Sequence, residues 1–233
     1  MKETAPVAAV ICAAGSSSRM GGIKKEYQRV NNNGKELTVL YSVVSAFAAV
    51  PSVQTIVIAI PENEEAFAKE ALPPEFLSAS VPQIFFVTGG KTRRASVYNA
   101  LSSLKQSNPC FVLIHDGARP WVTPLLIQKI IEAVNKFDAV IPLLPLTDTP
   151  KEYDVFGEPP LIIRHLKRAN TGIAQTPQGF KFPQILQAHE KAARIKDEEF
   201  TDDAEVWARF CGPVAVIPGE PENKKITFKE DLI

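Results

Sequence analysis

The segment Ala13-Ala14-Gly15-Ser16-Ser17-Ser18-Arg19-Met20-Gly21-Gly22 follows directly on the apolar run Val7–Cys12. Small residues at the end of a strand let a backbone loop come close to a bulky anion, with N–H groups unobstructed. Arg19 adds a fixed positive charge with the planar, bidentate geometry that suits phosphate. Lys24 and Lys25 follow at once, so several negative charges can gather here. A glycine-serine surface loop with solvated charges would read the same way, and the segment alone does not decide. It matches neither the Gly-Lys-Ser/Thr phosphate loop nor the G-x-G-x-x-G of dinucleotide folds.

Two further loops share this character. Ile114-His115-Asp116-Gly117-Ala118-Arg119-Pro120 closes another apolar run. A carboxylate placed there can hold Mg²⁺ bound to phosphates, because magnesium takes few carboxylates together with phosphate oxygens. The alternative is an Asp-Gly turn in which Asp116 caps its own loop. Arg119 either pairs with Asp116 or touches a substrate phosphate, and the sequence leaves both open. Gly89-Gly90-Lys91-Thr92-Arg93-Arg94-Ala95-Ser96 offers free N–H groups and a hydroxyl at the start of a helix. That suits a base edge or a ribose, and equally an ordinary helix start.

Arg168, Thr176-Pro177-Gln178, Thr201-Asp202-Asp203 and Lys224-Lys225-Ile226-Thr227 are bland one by one. No Ser-His-Asp order, Cys-His pair or metal-like histidine spacing is evident, and His115, His165 and His189 stand far apart. Many cations and one or two aspartates around a glycine loop, without an obvious nucleophile, point to phosphoryl or nucleotidyl transfer. There, positioning and charge neutralisation do most of the catalysis.

These residues need a scaffold that brings loops together. Val7–Cys12, Thr55–Ile60, Ile84–Val87, Phe111–His115, Ala139–Leu144 and Val214–Ile217 read as strands covered on both faces, because their apolarity is continuous. Helical patterns fall at Thr38–Val50, Thr92–Leu104, after Thr123-Pro124, at Pro183–Ile195 and at Asp202–Phe210. The rhythm implies a doubly wound α/β sheet with its ligand site at the carboxyl ends of the strands. It breaks between about 145 and 175, a proline-rich stretch of about 30 residues that is long for a loop. An arm or hairpin that grips a second subunit is expected there, within a single domain spanning 1–233.

Bulk properties narrow the function. The 233 residues are 45% hydrophobic and 22% charged, as in a globular protein with a proper core. Lysine plus arginine and aspartate plus glutamate are 26 each, so no global attraction to nucleic acid or anionic membrane is expected. No apolar run approaches the roughly 20 residues that span a bilayer. The N-terminus has no signal-peptide pattern. Cys12, Cys110 and Cys211 each adjoin apolar residues, and buried free thiols in a cytoplasmic protein are expected.

The ordered series Ala-Ala-Gly-x-x-x-Arg-Met, Lys-x-Tyr, Gly-Gly-x-x-Arg-x-x-Ser, His-Asp-Gly-Ala-Arg-Pro, Asp-Thr, Arg-x7-Thr-Pro-Gln, Thr-Asp and Lys-Ile-Thr covers nearly the whole chain. It resembles the 2-C-methyl-D-erythritol 4-phosphate cytidylyltransferases of the non-mevalonate isoprenoid pathway. The resemblance implies a Rossmann-like, doubly wound, mostly parallel twisted sheet with an extended arm used for dimerisation. It implies Arg19, Lys25 and Lys225 as catalytic cations on the triphosphate of CTP. Ala13, Ala14, Gly15 and Ser16 would cradle the nucleotide, Gly90, Arg93 and Ser96 would read base and ribose, and Asp116, Gly117 and Ala118 would complete the site. Asp116 would serve Mg²⁺, directly or through water. Arg119, Thr149, Arg168, Thr176 and Thr201 would hold the polyol phosphate, with Thr149 supplied across a homodimer.

The resemblance further implies a cytoplasmic enzyme, or a plastid-stromal one in a plant-like source, although no transit peptide is present. It implies no nucleic-acid or membrane partner. Where that family has Pro-Lys-Gln before an aromatic, this chain has Lys24-Lys25-Glu26-Tyr27, and the spacing to Tyr27 favours Lys25 as the phosphate ligand. The residue after Gly90, often acidic in the family, is Lys91. The nearest alternatives are ribitol-5-phosphate cytidylyltransferase and a non-catalytic nucleotide-binding regulator on the same fold.

Overall fold

The computed structural model describes residues 5–17, 20–78, 82–195 and 199–232. In chain order, β1 (Val7–Cys12) is followed by a hairpin of β2 (Arg29–Asn32) and β3 (Lys35–Thr38), then α1 (Val39–Ala48) and β4 (Val53–Ile60). Two short helices, α2 (Glu65–Glu70) and α3 (Pro74–Ser78), lead to β5 (Gln83–Thr88), α4 (Arg93–Ser103) and β6 (Phe111–Asp116). Next come α5 (Pro124–Phe137), β7 (Ala139–Pro145) and a second hairpin, β8 (Lys151–Asp154) with β9 (Leu161–His165). The chain ends through β10 (Gly172–Ala174), β11 (Gln178–Lys181), α6 (Phe182–Ala192), α7 (Asp203–Phe210) and β12 (Ala215–Pro218).

The central sheet runs in the order β10-β7-β11-β6-β1-β4-β5, with β12 on β7. It is mostly parallel, as the continuous apolarity of its strands requires. In β1, Val7, Ala9 and Ile11 belong to a core with Leu40, Val43 and Phe47 of α1 and Leu126 and Ile130 of α5. Ala8 and Val10 face the other way, into a core with Val97 and Leu101 of α4 and Ile185 of α6. A strand with a core on each face tolerates no polar alternate position, which is why its signal in sequence is a run and not an alternation.

The helices begin where their caps stand. The hydroxyls of Thr38, Thr92 and Thr123 accept the backbone N–H of Tyr41, Ala95 and Leu126 respectively, and Pro124 occupies the first turn of α5, where its missing N–H costs nothing.

The mostly parallel sheet holds two strands that the sequence did not reveal, and the burial expected of the cysteines needs correction. Within the sheet, β11 lies antiparallel between β6 and β7, and β10 lies antiparallel beside β7. These strands have three and four residues, too few to leave a periodic signal. The cysteines are free, as expected, but Cys110 and Cys211 are exposed and Cys12 is half-buried. Cys110 sits just before β6, where its backbone is bonded on both sides by Pro6 and Phe182 while its side chain faces out. The irregular stretch contains the β8–β9 hairpin, as an arm requires. Among the described residues, no helix is long and apolar enough to cross a membrane.

Candidate active site

β1 lies between β4 and β6, so the chain leaves it toward β4 and β5 on one side and returns to β6 on the other. A crevice opens at the carboxyl edge where strand order reverses in this way. The loops after β1, β5 and β6 converge there on a cleft of about 410 Å³. Ala14, Gly15 and Ser16 form one wall and Gly90, Arg93 and Ser96 another; Asp116 and Ala118 come from the third loop, and Lys25 and Lys225 also line the space. The first two loops touch so closely that a side chain at Gly89 would collide with the Cβ of Ala14. The Ser96 hydroxyl accepts the Gly90 N–H at 3.0 Å and donates to the Thr92 carbonyl at 2.9 Å, which fixes the second loop against its own helix.

The two lysines after the first loop have separate places. Lys24 donates to the Gly15 carbonyl at 2.7 Å and lies 3.8 Å from Glu64, so it ties the loop down. Lys25 lines the cleft.

A chain of paired charges, anchored on the buried Asp116 and Asp203, runs behind it. Asp116, at the end of β6, has Arg93 Nε 3.2 Å from Oδ1, and Lys225 Nζ 2.8 Å and Arg119 Nε 3.6 Å from Oδ2. Burial works against its ionisation, but these three cations outweigh it and hold the carboxyl far below the usual carboxylate range. Arg93 is shared: its Nη1 lies 2.8 Å from Oδ2 of the fully buried Asp203, whose Oδ1 is 3.3 Å from His189 Nε2. Burial alone would weaken the Arg93 charge; the carboxylates of Asp203 and Asp116 reverse this and raise its pKa well above the ordinary value. The guanidinium is therefore charged and immobilised between two carboxylates. Cys12 beneath it is pushed up to about 12 by burial, and remains a thiol.

The floor of the site is a directed hydrogen-bond chain. Nε2 of His115 lies 3.2 Å from the Arg119 carbonyl, which can only accept, so that nitrogen carries the proton. Nδ1 then accepts from the Thr176 hydroxyl at 3.0 Å, and the same hydroxyl receives the Asp116 N–H at 3.1 Å. Asn223 donates to the Thr176 carbonyl, and its own carbonyl accepts from Arg119 and Gln175. The Ile226 N–H donates to the Ala118 carbonyl at 2.8 Å. These bonds stitch the last loop across β6 and deliver Lys225 to Asp116.

The remaining expected site residues fall outside the cleft lining. Ala13 and Gly117 are buried under it, bonded through their N–H groups to the Ala59 and Cys12 carbonyls. Arg119 and Thr176 stand behind Asp116. Thr149, Arg168 and Thr201 are exposed. Arg168 donates to the Thr147 carbonyl at 2.7 Å, bracing the base of the arm, and Thr201 donates its N–H and hydroxyl to the Glu205 carboxylate in the first turn of α7. Arg19 lies outside the described residues.

Two participants were not expected from sequence. Asp203 anchors Arg93, and its signal was the doubled acid at the start of α7, since capping the Glu205 N–H needs only Asp202. Glu26 lines the cleft and is almost fully buried. Its signal was a carboxylate beside two lysines. Among the described residues, no group of three or more metal-ligating side chains is assembled. Any Mg²⁺ here would depend on phosphate oxygens for most of its shell.

Comparison with known proteins agrees with this geometry. The profile of the IspD family, 2-C-methyl-D-erythritol 4-phosphate cytidylyltransferase, matches residues 7–233. A bifunctional enzyme IspD/IspF of Bradyrhizobium sp. is 40% identical over 230 residues, covering 97% of this chain and 54% of that protein. Its counterpart in Bartonella tribocorum is 36% identical over 226 residues, with 97% and 54% covered. The chain thus spans about half the length of the curated relatives it matches. Among solved structures, 4-diphosphocytidyl-2C-methyl-D-erythritol synthase from Anaerococcus prevotii superposes with a TM-score of 0.80 at 28% identity, over 99% of this chain and 96% of that one. The 2-C-methyl-D-erythritol 4-phosphate cytidylyltransferase of Thermus thermophilus gives 0.75 at 32% identity, over 97% and 95%.

Proposed function

Because the chain belongs to the 2-C-methyl-D-erythritol 4-phosphate cytidylyltransferase family, we propose that it joins CTP to 2-C-methyl-D-erythritol 4-phosphate, giving 4-diphosphocytidyl-2-C-methyl-D-erythritol and pyrophosphate. The observation that carries this reading is the cleft, in which three carboxyl-edge loops meet with Lys25 and Lys225 on the walls.

An oxygen of the polyol phosphate forms a bond to the α-phosphorus of CTP, and the bond from that phosphorus to the bridging oxygen breaks, releasing pyrophosphate. The second pKa of a phosphate monoester is about 6, so the attacking oxygen is already ionised at neutral pH. No general base is needed, and His115, with both ring nitrogens engaged, offers none. The difficulty is repulsion between a dianion and a nucleotide triphosphate. Lys25 and Lys225, with Arg19 by family resemblance, offset it, most of all as charge grows on the five-coordinate phosphorus. Mg²⁺ carried by the nucleotide would neutralise further charge on the triphosphate.

The polyol pocket is completed by a second copy of the chain. Support comes from the arm: Tyr153, Leu161, Ile162 and Ile163 are exposed on a two-stranded hairpin, and Phe156 at its tip is 92% exposed. Thr149 at the arm's base then reaches the partner's site. The free thiols fit a reducing, cytoplasmic setting.

Parallel assays of pyrophosphate release from CTP with methylerythritol phosphate and with ribitol 5-phosphate test the proposal. Turnover with the first far above the second is expected. Turnover with neither, or preference for ribitol phosphate, overturns it.

A further inference from the structure

Asp116 is the carboxylate that sequence reasoning offers to a nucleotide-bound cation, yet both of its oxygens are taken. Oδ1 faces Arg93, and Oδ2 faces Lys225 and Arg119. An approaching divalent ion meets three positive charges there before it meets the carboxylate.

Glu26 presents the opposite case. It stands in the short helical turn Lys25–Tyr27, lines the same cleft and is only 2% exposed. Among the described residues, its Oε2 has no hydrogen-bond partner and Glu26 makes no ion pair. Lys24 is turned away to the Gly15 carbonyl and Glu64. A carboxylate oxygen kept from water and from the described donors around it is costly, and such a group on the wall of a ligand cleft is stabilised when the ligand brings the missing partner. Burial already pushes the carboxyl up, against its own backbone N–H and the charges of Lys25 and Lys24. Short of protonation, a cation or a donor is what offsets that cost for the ionised carboxylate, and the triphosphate of CTP offers oxygens, which are acceptors. Its counter-ion is different: Mg²⁺ takes one or two carboxylates alongside phosphate oxygens and keeps waters that donate.

We propose that Glu26, rather than Asp116, is the carboxylate that meets the nucleotide-bound Mg²⁺, directly or through one of its waters. The inference rests on the CTP reading given above. Asp116 keeps a different task, that of holding Arg93 and Lys225 in place. Glu26 makes the cleft selective for the metal-bound nucleotide, because its charge repels CTP that arrives without a cation.

Calorimetric titration with CTP alone, in the absence of polyol phosphate, tests this with Mg²⁺ present and with Mg²⁺ removed by a chelator. In the native protein Mg²⁺ should tighten CTP binding. In Glu26→Gln, which is isosteric and uncharged, metal-free CTP should bind more tightly and Mg²⁺-CTP more weakly, so that the ratio of the two dissociation constants falls about tenfold. Glu26→Ala removes the same charge and should move both constants in the same opposite directions. Equal changes in both constants, or none in either variant, overturn the assignment, as does a native protein that binds CTP without regard to Mg²⁺. A native protein that binds no CTP in either condition refutes the cytidylyltransferase reading instead.

Discussion

Lys24 and Lys25 are adjacent and chemically identical, yet the fold gives them different work, and substitution should separate them. Lys25→Ala should lower kcat by about 10²-fold with a smaller effect on CTP affinity, as expected for a charge that matters most in the transition state. Lys24→Ala frees the Gly15 carbonyl and should act mainly on KM for CTP. A kcat loss in Lys24→Ala as large as in Lys25→Ala would reassign the role. His115 yields a second expectation. Burial depresses its pKa to about 4 from an ordinary 6.5, so the folded state resists protonation. The stability this represents is fully present above pH 6.5 and is lost as pH falls toward 4, by about 3 kcal/mol in all. Denaturant midpoints measured from pH 7 to pH 4 should show this slope in the native protein and lose it in His115→Gln. The cations and loop glycines of this site were legible in sequence because each forms part of a phosphate-binding segment. Asp203 and Glu26 were not, since what marks them is burial and the company they keep, and both are set by chain brought in from elsewhere.

The last loop, from Gly219 to Thr227, has no regular structure, so its position depends on side-chain bonds across elements. Thr123 caps α5 and also donates to Glu220 Oε2 at 2.8 Å, while Gln175 holds the Glu220 carbonyl and N–H from the β10 side. Asn223 is wholly buried and joins Thr176 to Arg119. Thr123→Ala should therefore cost about 1–2 kcal/mol of stability, toward the upper end for a cap, because it also leaves Glu220 without its partner. Asn223→Ala should lower kcat as well as stability, since the segment it holds delivers Lys225; a destabilised variant with normal kcat would mean that Lys225 is placed by other contacts. At this scale the sequence was informative where elements are long. The six apolar runs and the five helical patterns lie within a few residues of the observed elements, because continuous apolarity and threonine caps are local signals. The β2–β3 hairpin was missed although Asn33-Gly34 marks it. Both residues have positive φ, 52° and 80°, as a two-residue hairpin turn demands, but the flanking strands are mostly polar, and Val30 and Leu37 alone are too few to make an apolar pattern.

For the whole molecule, the proposed assembly turns on the arm. A two-stranded hairpin is marginal in water unless one face is covered, and β8–β9 has a register in which Tyr153 pairs with Ile162 and Asp154 with Leu161. Leu161 and Ile163 point to one face of that ribbon and Ile162 to the other, and all three are more than half exposed. An apolar ribbon of this kind is stabilised by a partner surface, and an isologous contact between two arms supplies one for each copy. Replacing residues 155–160 by a two-residue turn should then shift the sedimentation of the protein from dimer to monomer. Turnover should fall with it, because Thr149 no longer reaches the other subunit, while CTP affinity stays within about twofold, since the cleft draws on none of these residues. A trimmed variant that sediments as a monomer and retains full turnover would show that each chain builds its polyol pocket alone, and one that remains a dimer would place the interface elsewhere.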